Sequence, residues 1–82
     1  MKHARTKYDR RKLKGRVIEK FGSQGAFATA LGVSENTVSK KFTGRLPITI
    51  SDIEEWSKLL EIGTEEYPVY YFKVLEREEQ LG

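Results

Sequence analysis

A chain of 82 residues, 38% hydrophobic and 33% charged, is about half the length of a typical domain and has room for one small core. It has no cysteine and one histidine, which excludes disulfides, thiolate metal sites and a cysteine nucleophile and leaves little for general-base chemistry. The net charge of +3 hides a division: residues 1–45 carry 12 Lys/Arg against 3 acids, a balance of +9, and residues 46–82 carry 3 against 9, a balance of −6. Such asymmetry suggests one half that faces a polyanion and another that faces water or a partner. No apolar run approaches the roughly 18 residues of a membrane span, and the basic start MKHARTKYDRRKLKGR lacks the apolar stretch of a signal peptide. A cytoplasmic protein that is not an enzyme is expected.

Residues 1–8 read as a basic arm. Asp9 supplies an N-cap for a first helix, with Tyr8 and Leu13 at staple spacing. Leu13, Val17, Ile18 and Phe21 recur as an inward stripe, and Gly22 stops it. Ser23 caps QGAFATAL, whose Phe27 and Leu31 share a face, and Gly32 closes it. Ser34 caps a third helix that runs to Gly44, with Val33 and Val38 as a staple and Val38 and Phe42 facing inward. Pro47 forces a loop. For the fourth helix the Thr49–Asp52 box is preferred to Ser51–Glu54, because it also sets Ile48 and Ile53 at staple positions. Ile53, Trp56, Leu59 and Leu60 form its buried face, and Gly63 ends it after Ile62. Beyond it, Thr64 can cap a short turn, and Pro68 argues against a long helix. VYYFKV has the composition of a strand, and residues 76–82 read as a polar tail or frayed helix. The fold class is mainly all-α: a compact domain of four to five helices, with room for one short C-terminal β-strand.

The informative unit is residues 24–44, two short helices joined by a turn at Gly32, which is helix-turn-helix spacing. Ala28 sits where the helices approach, and Gly32 where a positive φ is wanted. With Val38 and Phe42 anchored, Glu35, Asn36, Ser39, Lys40 and Thr43 are left for the outer face.

On these residues the chain resembles the lambda-repressor-like, or Cro/XRE-type, helix-turn-helix domains of phage and prophage regulators over residues 9–63, roughly two-thirds of its length. The run KLKGRVIEKFGSQGAFATALGVSENTVSKKFTG is similar to short phage repressors of Gram-positive bacteria. The marks are Gln24, Ala28, Gly32, VSENTVS and Gly44. The resemblance implies that Gln24 contacts a phosphate, that Glu35, Asn36, Ser39 and Lys40 approach base edges in the major groove, and that Thr43 and Arg45 lie over the backbone. Ser34, Thr37 and Lys41 complete the DNA-binding set. Lys41 stands where many relatives bury Ile or Leu, with Phe42 taking over the packing. Glu35 stands where they often carry Gln, and is either an acceptor for cytosine N4 or a first-turn acid favoured by the helix dipole.

The function so implied is a sequence-specific transcriptional regulator, a Cro-like repressor that binds a near-palindromic operator as a homodimer. Residues 64–82 are read as an extension that supplies the dimer surface from Tyr67, Val69, Tyr70, Tyr71, Phe72 and Val74, some of which complete the core. Removing residues 68–82 is expected to abolish dimerisation and leave the helices intact. Double-stranded DNA and a second copy are the expected partners, with no membrane, small-molecule substrate, cofactor or metal. The competing class is an antitoxin-type interaction module that grips a toxin through the acidic half and binds DNA secondarily. For catalysis, no base is positioned by motif beside Ser34, Ser39 or Asp52.

Overall fold

The computed structural model describes residues 5–78, with side chains over residues 7–74. In chain order come strand β1 (Arg5–Tyr8), helices α1 (Arg11–Phe21), α2 (Gln24–Leu31), α3 (Glu35–Thr43) and α4 (Ile50–Leu60), a 3-10 turn (Thr64–Glu66), helix α5 (Tyr67–Tyr71) and strand β2 (Val74–Glu78). The fold is mainly all-α, as expected. The last part of the basic arm is β1, which pairs antiparallel with β2: Arg5 lies opposite Glu78, Thr6 opposite Arg77, Lys7 opposite Glu76 and, after a register shift, Tyr8 opposite Val74. An isolated two-stranded ribbon is marginal in water. This one is tied to the helices by the Asp9 N–H, which donates to the Lys73 carbonyl at 2.7 Å.

The caps follow local chemistry. Ser23 accepts from the Ala26 N–H, Ser34 from the Thr37 N–H, and Thr49 and Asp52 close both bonds of the chosen capping box. Gly22, Gly32 and Gly44 stand just past their helices at positive φ. At Gly32 the φ of 79° lets the Val33 N–H turn back onto the Ala28 carbonyl at 3.0 Å, so α3 begins three residues later.

The core joins every helix: Leu13 and Val17 of α1, Phe27 and Ala28 of α2, Val38 of α3, Ile53, Trp56 and Leu60 of α4, and Tyr70 and Tyr71 of α5. Trp56 is its centre, with the Phe27 ring edge-on at 5.1 Å and the Phe42 ring at 5.6 Å. Burying each such side chain contributes about 1.5–3 kcal/mol. Arg16 of α1 donates to the Leu60 and Glu61 carbonyls at 2.8 and 3.0 Å, satisfying the C-terminus of α4.

Several local expectations are corrected. The residue preceding α1 is Arg10, which makes no side-chain cap. The Asp9 carboxylate instead accepts the Arg11 N–H and is held by the Arg11 guanidinium at 3.0 and 2.9 Å. Tyr8 is not a staple, because its ring is drawn edge-on to Phe72. Ile18 is 50% exposed: the buried row runs 13, 17, 21 at four-residue spacing, and Ile18 lies about 100° around the helix from Val17. Val33 is 43% exposed, since the tight turn carries its side chain outward.

Helix α4 stops at Leu60, not at Gly63. Glu61 takes the left-handed conformation (φ 57°), and the Ile62 N–H returns to the Ser57 carbonyl at 2.9 Å. This places Ile62 on the core in a Schellman-type ending. Gly63 then precedes the 3-10 turn, where its N–H donates to Glu66 at 3.2 Å.

The segment read as a strand is helical through Tyr71, and the strand comes later, at β2. Pro68 falls in the first turn of α5, where its missing N–H costs nothing. The neighbours Tyr70 and Tyr71 are both buried; a strand would send them to opposite faces, whereas a helix keeps them about 100° apart and lets both enter the core. The extension is therefore part of the folded unit. Removing residues 68–82 takes away a fully buried tyrosine whose hydroxyl pairs with Ser57 at 2.9 Å, so the helices are not independent of it. Residues 79–82, the end of the expected tail, lie outside the described residues.

Candidate functional site

Helix α3 is held from below by Val38 and Phe42, one turn apart. Val38 is fully buried, and Phe42 is half-buried against Trp56. That anchorage decides what remains outside. Glu35, Asn36, Thr43 and Arg45 are exposed, and Gln24, Thr37, Ser39 and Lys40 are half-exposed. Seven of the ten expected contact residues thus belong to α3, one opens α2, and Ser34 and Arg45 flank α3.

Not all keep their polar groups for a ligand. The Ser34 hydroxyl accepts the Thr37 N–H at 3.1 Å and pairs with the Thr37 hydroxyl at 3.0 Å, so both are engaged in starting α3. The Thr43 hydroxyl donates to the Lys40 carbonyl.

Lys41 departs furthest from the expected set. Its Nζ lies 2.7 Å from Asp52 Oδ2, and both side chains are more than four-fifths shielded from water. The same carboxylate accepts the Thr49 N–H at 2.9 Å. Burial alone would raise the Asp52 carboxyl, but the Lys41 ammonium and the Thr49 N–H outweigh it and hold it below the usual carboxylate range. The ion pair fastens the end of α3 to the start of α4. Phe42 packs beside it.

Glu35 lies beside the start of α2. A Cβ built on Gly25 would stand 3.2 Å from Glu35 Oε1, so the carboxylate leans over the first turn of α2 as well as its own. Two helix N-termini favour a negative charge there.

Arg10 escaped the sequence reading. Its Nε donates to the Tyr71 carbonyl at 3.4 Å and its Nη1 to the Lys41 carbonyl at 3.3 Å. It thus links the end of α3 to α5. Only its place in a basic run was visible in the sequence, and basic runs usually signal solvent. The six aromatic and apolar residues assigned to a dimer surface divide: Tyr70 and Tyr71 are buried, Tyr67 is half-buried, and Val69, Phe72 and Val74 are exposed. No helix among the described residues is long and apolar enough to cross a membrane.

With this geometry in hand, residues 6–74 match the model of a family described as "Protein of unknown function (DUF739)". Among solved structures, the chain is similar to the modulator of repression (MOR) of the temperate bacteriophage TP901-1 from Lactococcus lactis, determined in solution. Identity is 37%, the match covers 79% of this chain and 88% of that one, and the TM-score is 0.72. No curated protein matches.

Proposed function

This chain belongs to the DUF739 family, and on that premise we propose that it is a phage regulatory protein whose helix-turn-helix binds an operator through the outer face of α3. One observation carries the reading: Val38 and Phe42 lock α3 so that Asn36, Ser39 and Lys40 stand away from the core, directly after the turn at Gly32. In a major groove, Asn36 is suited to adenine and Lys40 to guanine O6 and N7. Gln24 opens α2 where a phosphate is favoured, and Thr43 and Arg45 lie at the far end of α3 for the backbone. Lys41 supports α3 from within. A single such domain reads few base pairs, so a second copy on a near-palindromic site is part of the proposal, with Val69 and Val74 as exposed apolar groups for its contact.

A second reading is favoured by a specific observation. The similar solved protein is named a modulator of repression, and with Lys41 engaged by Asp52 the α3 face keeps only Lys40, with Arg45 beyond it, against Glu35. That is little positive charge for a phosphate backbone. On this reading the protein contacts a repressor, and DNA is affected indirectly. It is an interaction module with a repressor, not a toxin, as the proposed partner.

Selection of duplexes from a random pool separates the two. The operator reading expects an inverted repeat, and with about 6 phosphate contacts the log–log salt slope is near −5. Recovery of no duplex, together with binding to the phage repressor protein, overturns it in favour of the second.

A further inference from the structure

Where α3 runs out, the surface opens into a groove of about 690 Å³. One wall is made by Tyr8 and Phe72, whose rings meet edge-on at 6.1 Å. Phe42, Leu46 and Pro47 form another, and Arg10 brings positive charge to it. Phe72 is 45% and Leu46 37% exposed, so these are not core side chains glimpsed through a gap. Large apolar groups gathered around a concavity mark binding surfaces more often than chance exposure does.

Among the described residues that line the groove, none is a carboxylate. The Arg10 guanidinium lies 5.2 Å over the Tyr8 ring, and its two hydrogen bonds go to neutral carbonyls of Tyr71 and Lys41. Nothing among those partners neutralises its charge, and its partial burial lowers the tendency of the group to hold that charge. The nearest acid in sequence, Asp9, already accepts from Nε and Nη2 of Arg11. Nη2 of Arg10 makes none of the hydrogen bonds that fix the side chain, so a planar donor remains for an incoming acceptor.

We infer that this groove docks a segment of a partner protein bearing one or two large apolar side chains beside a carboxylate. The apolar groups would seat between Phe72, Tyr8 and Leu46, and the carboxylate would take the outer edge of Arg10. Charge complementarity selects an acidic segment. The apolar walls select a peptide over a nucleic acid, which would leave Phe72 and Leu46 unmatched. Amphipathic segments laid into grooves, with arginine among the residues that dominate affinity, are a recurrent mode of recognition. The groove meets the α3 face only at its end, through Thr43, so the inference does not depend on whether α3 reads DNA.

The test is selection from a random dodecapeptide library on the full chain, followed by affinity measurements on the enriched peptides. Enrichment of sequences pairing Leu, Phe or Trp with Glu or Asp is expected. Leu46→Asp, which puts a carboxylate into the groove from an exposed loop, is expected to weaken them about tenfold or more. Arg10→Lys keeps the charge but loses the fork and should weaken them severalfold, with circular dichroism confirming an unchanged fold. Ile50→Ser, exposed and outside the groove, should leave them unaltered. Peptides without acids, or peptides indifferent to Leu46→Asp, overturn the inference. So does a duplex whose binding is lost on Leu46→Asp while no peptide is enriched. Loss of a dimer by Leu46→Asp without peptide enrichment also overturns it, assigning the groove to a second copy.

Discussion

Replacing Tyr71 with phenylalanine removes one oxygen from the centre of this protein, and the structure says what that costs. The Tyr71 ring is fully buried, and its hydroxyl lies 2.9 Å from Ser57 Oγ, itself on the buried face of α4. A net hydrogen bond is worth about 1 kcal/mol, and a buried polar group left without a partner costs about 1–3 kcal/mol. Tyr71→Phe should therefore destabilise by about 1–2 kcal/mol, lowering Tm by about 5–15 °C for a domain of this size. Urea unfolding followed by the fluorescence of Trp56, the single tryptophan, reads the change directly. Ser57→Ala with Tyr71→Phe should recover part of the loss, with a coupling of about 1 kcal/mol in the double-mutant cycle. The phenol supplies a second readout. Burial pushes its pKa up, and only partly does the Ser57 bond offset that. Its stabilising effect is thus complete below the ordinary tyrosine value near 10 and is lost as pH rises through the folded value. The wild type should weaken in that alkaline range more than Tyr71→Phe does. A change under about 0.3 kcal/mol with additive single mutants would refute the placement of α5 against α4.

Lys41→Ala should cost about 1–2 kcal/mol of stability, because it strands the largely shielded Asp52, a value between those of exposed and buried pairs. If α3 reads DNA, that variant should leave base preference unchanged in a duplex selection, whereas Lys40→Ala should cost about 1–3 kcal/mol at one base position per half-site. In acid, Asp9, held by the Arg11 guanidinium and N–H, and Asp52 both titrate below the ordinary value of 3.8. Their contribution is complete above that value and lost as pH falls through the folded ones, so urea midpoints should drop below about pH 4 and Asp52→Asn should flatten the fall. Glu61→Gly should stabilise by about 0.5–1 kcal/mol in a thermal melt, since a non-glycine residue there holds φ 57°.

What the chain declared by itself was the part written in local chemistry. A hydroxyl or carboxamide at an N-cap acts on an N–H two or three residues away, and a glycine at positive φ acts on its own backbone. Ser23, Ser34, Thr49 and the glycines at 22, 32 and 44 therefore marked α2, α3 and the turn between them without knowledge of the fold. Four-residue spacing likewise named Val38, Phe42, Trp56 and Leu60 as inward, and with them the outward set on α3. The long-range pairings were hidden. VYYFKV has strand composition, yet whether Tyr70 and Tyr71 leave the chain on one side or two depends on having Ser57 and α1 to pack against, and these lie far away in sequence. Lys41 looked like a cation for DNA because Asp52, eleven residues on, becomes its partner only once α4 folds back. Arg10 looked like one more charge in a basic run until carbonyls from α3 and α5 closed around it. Charge on a flexible side chain carries no direction in the sequence; the packing of distant elements decides whether it faces solvent, a ligand or its own protein.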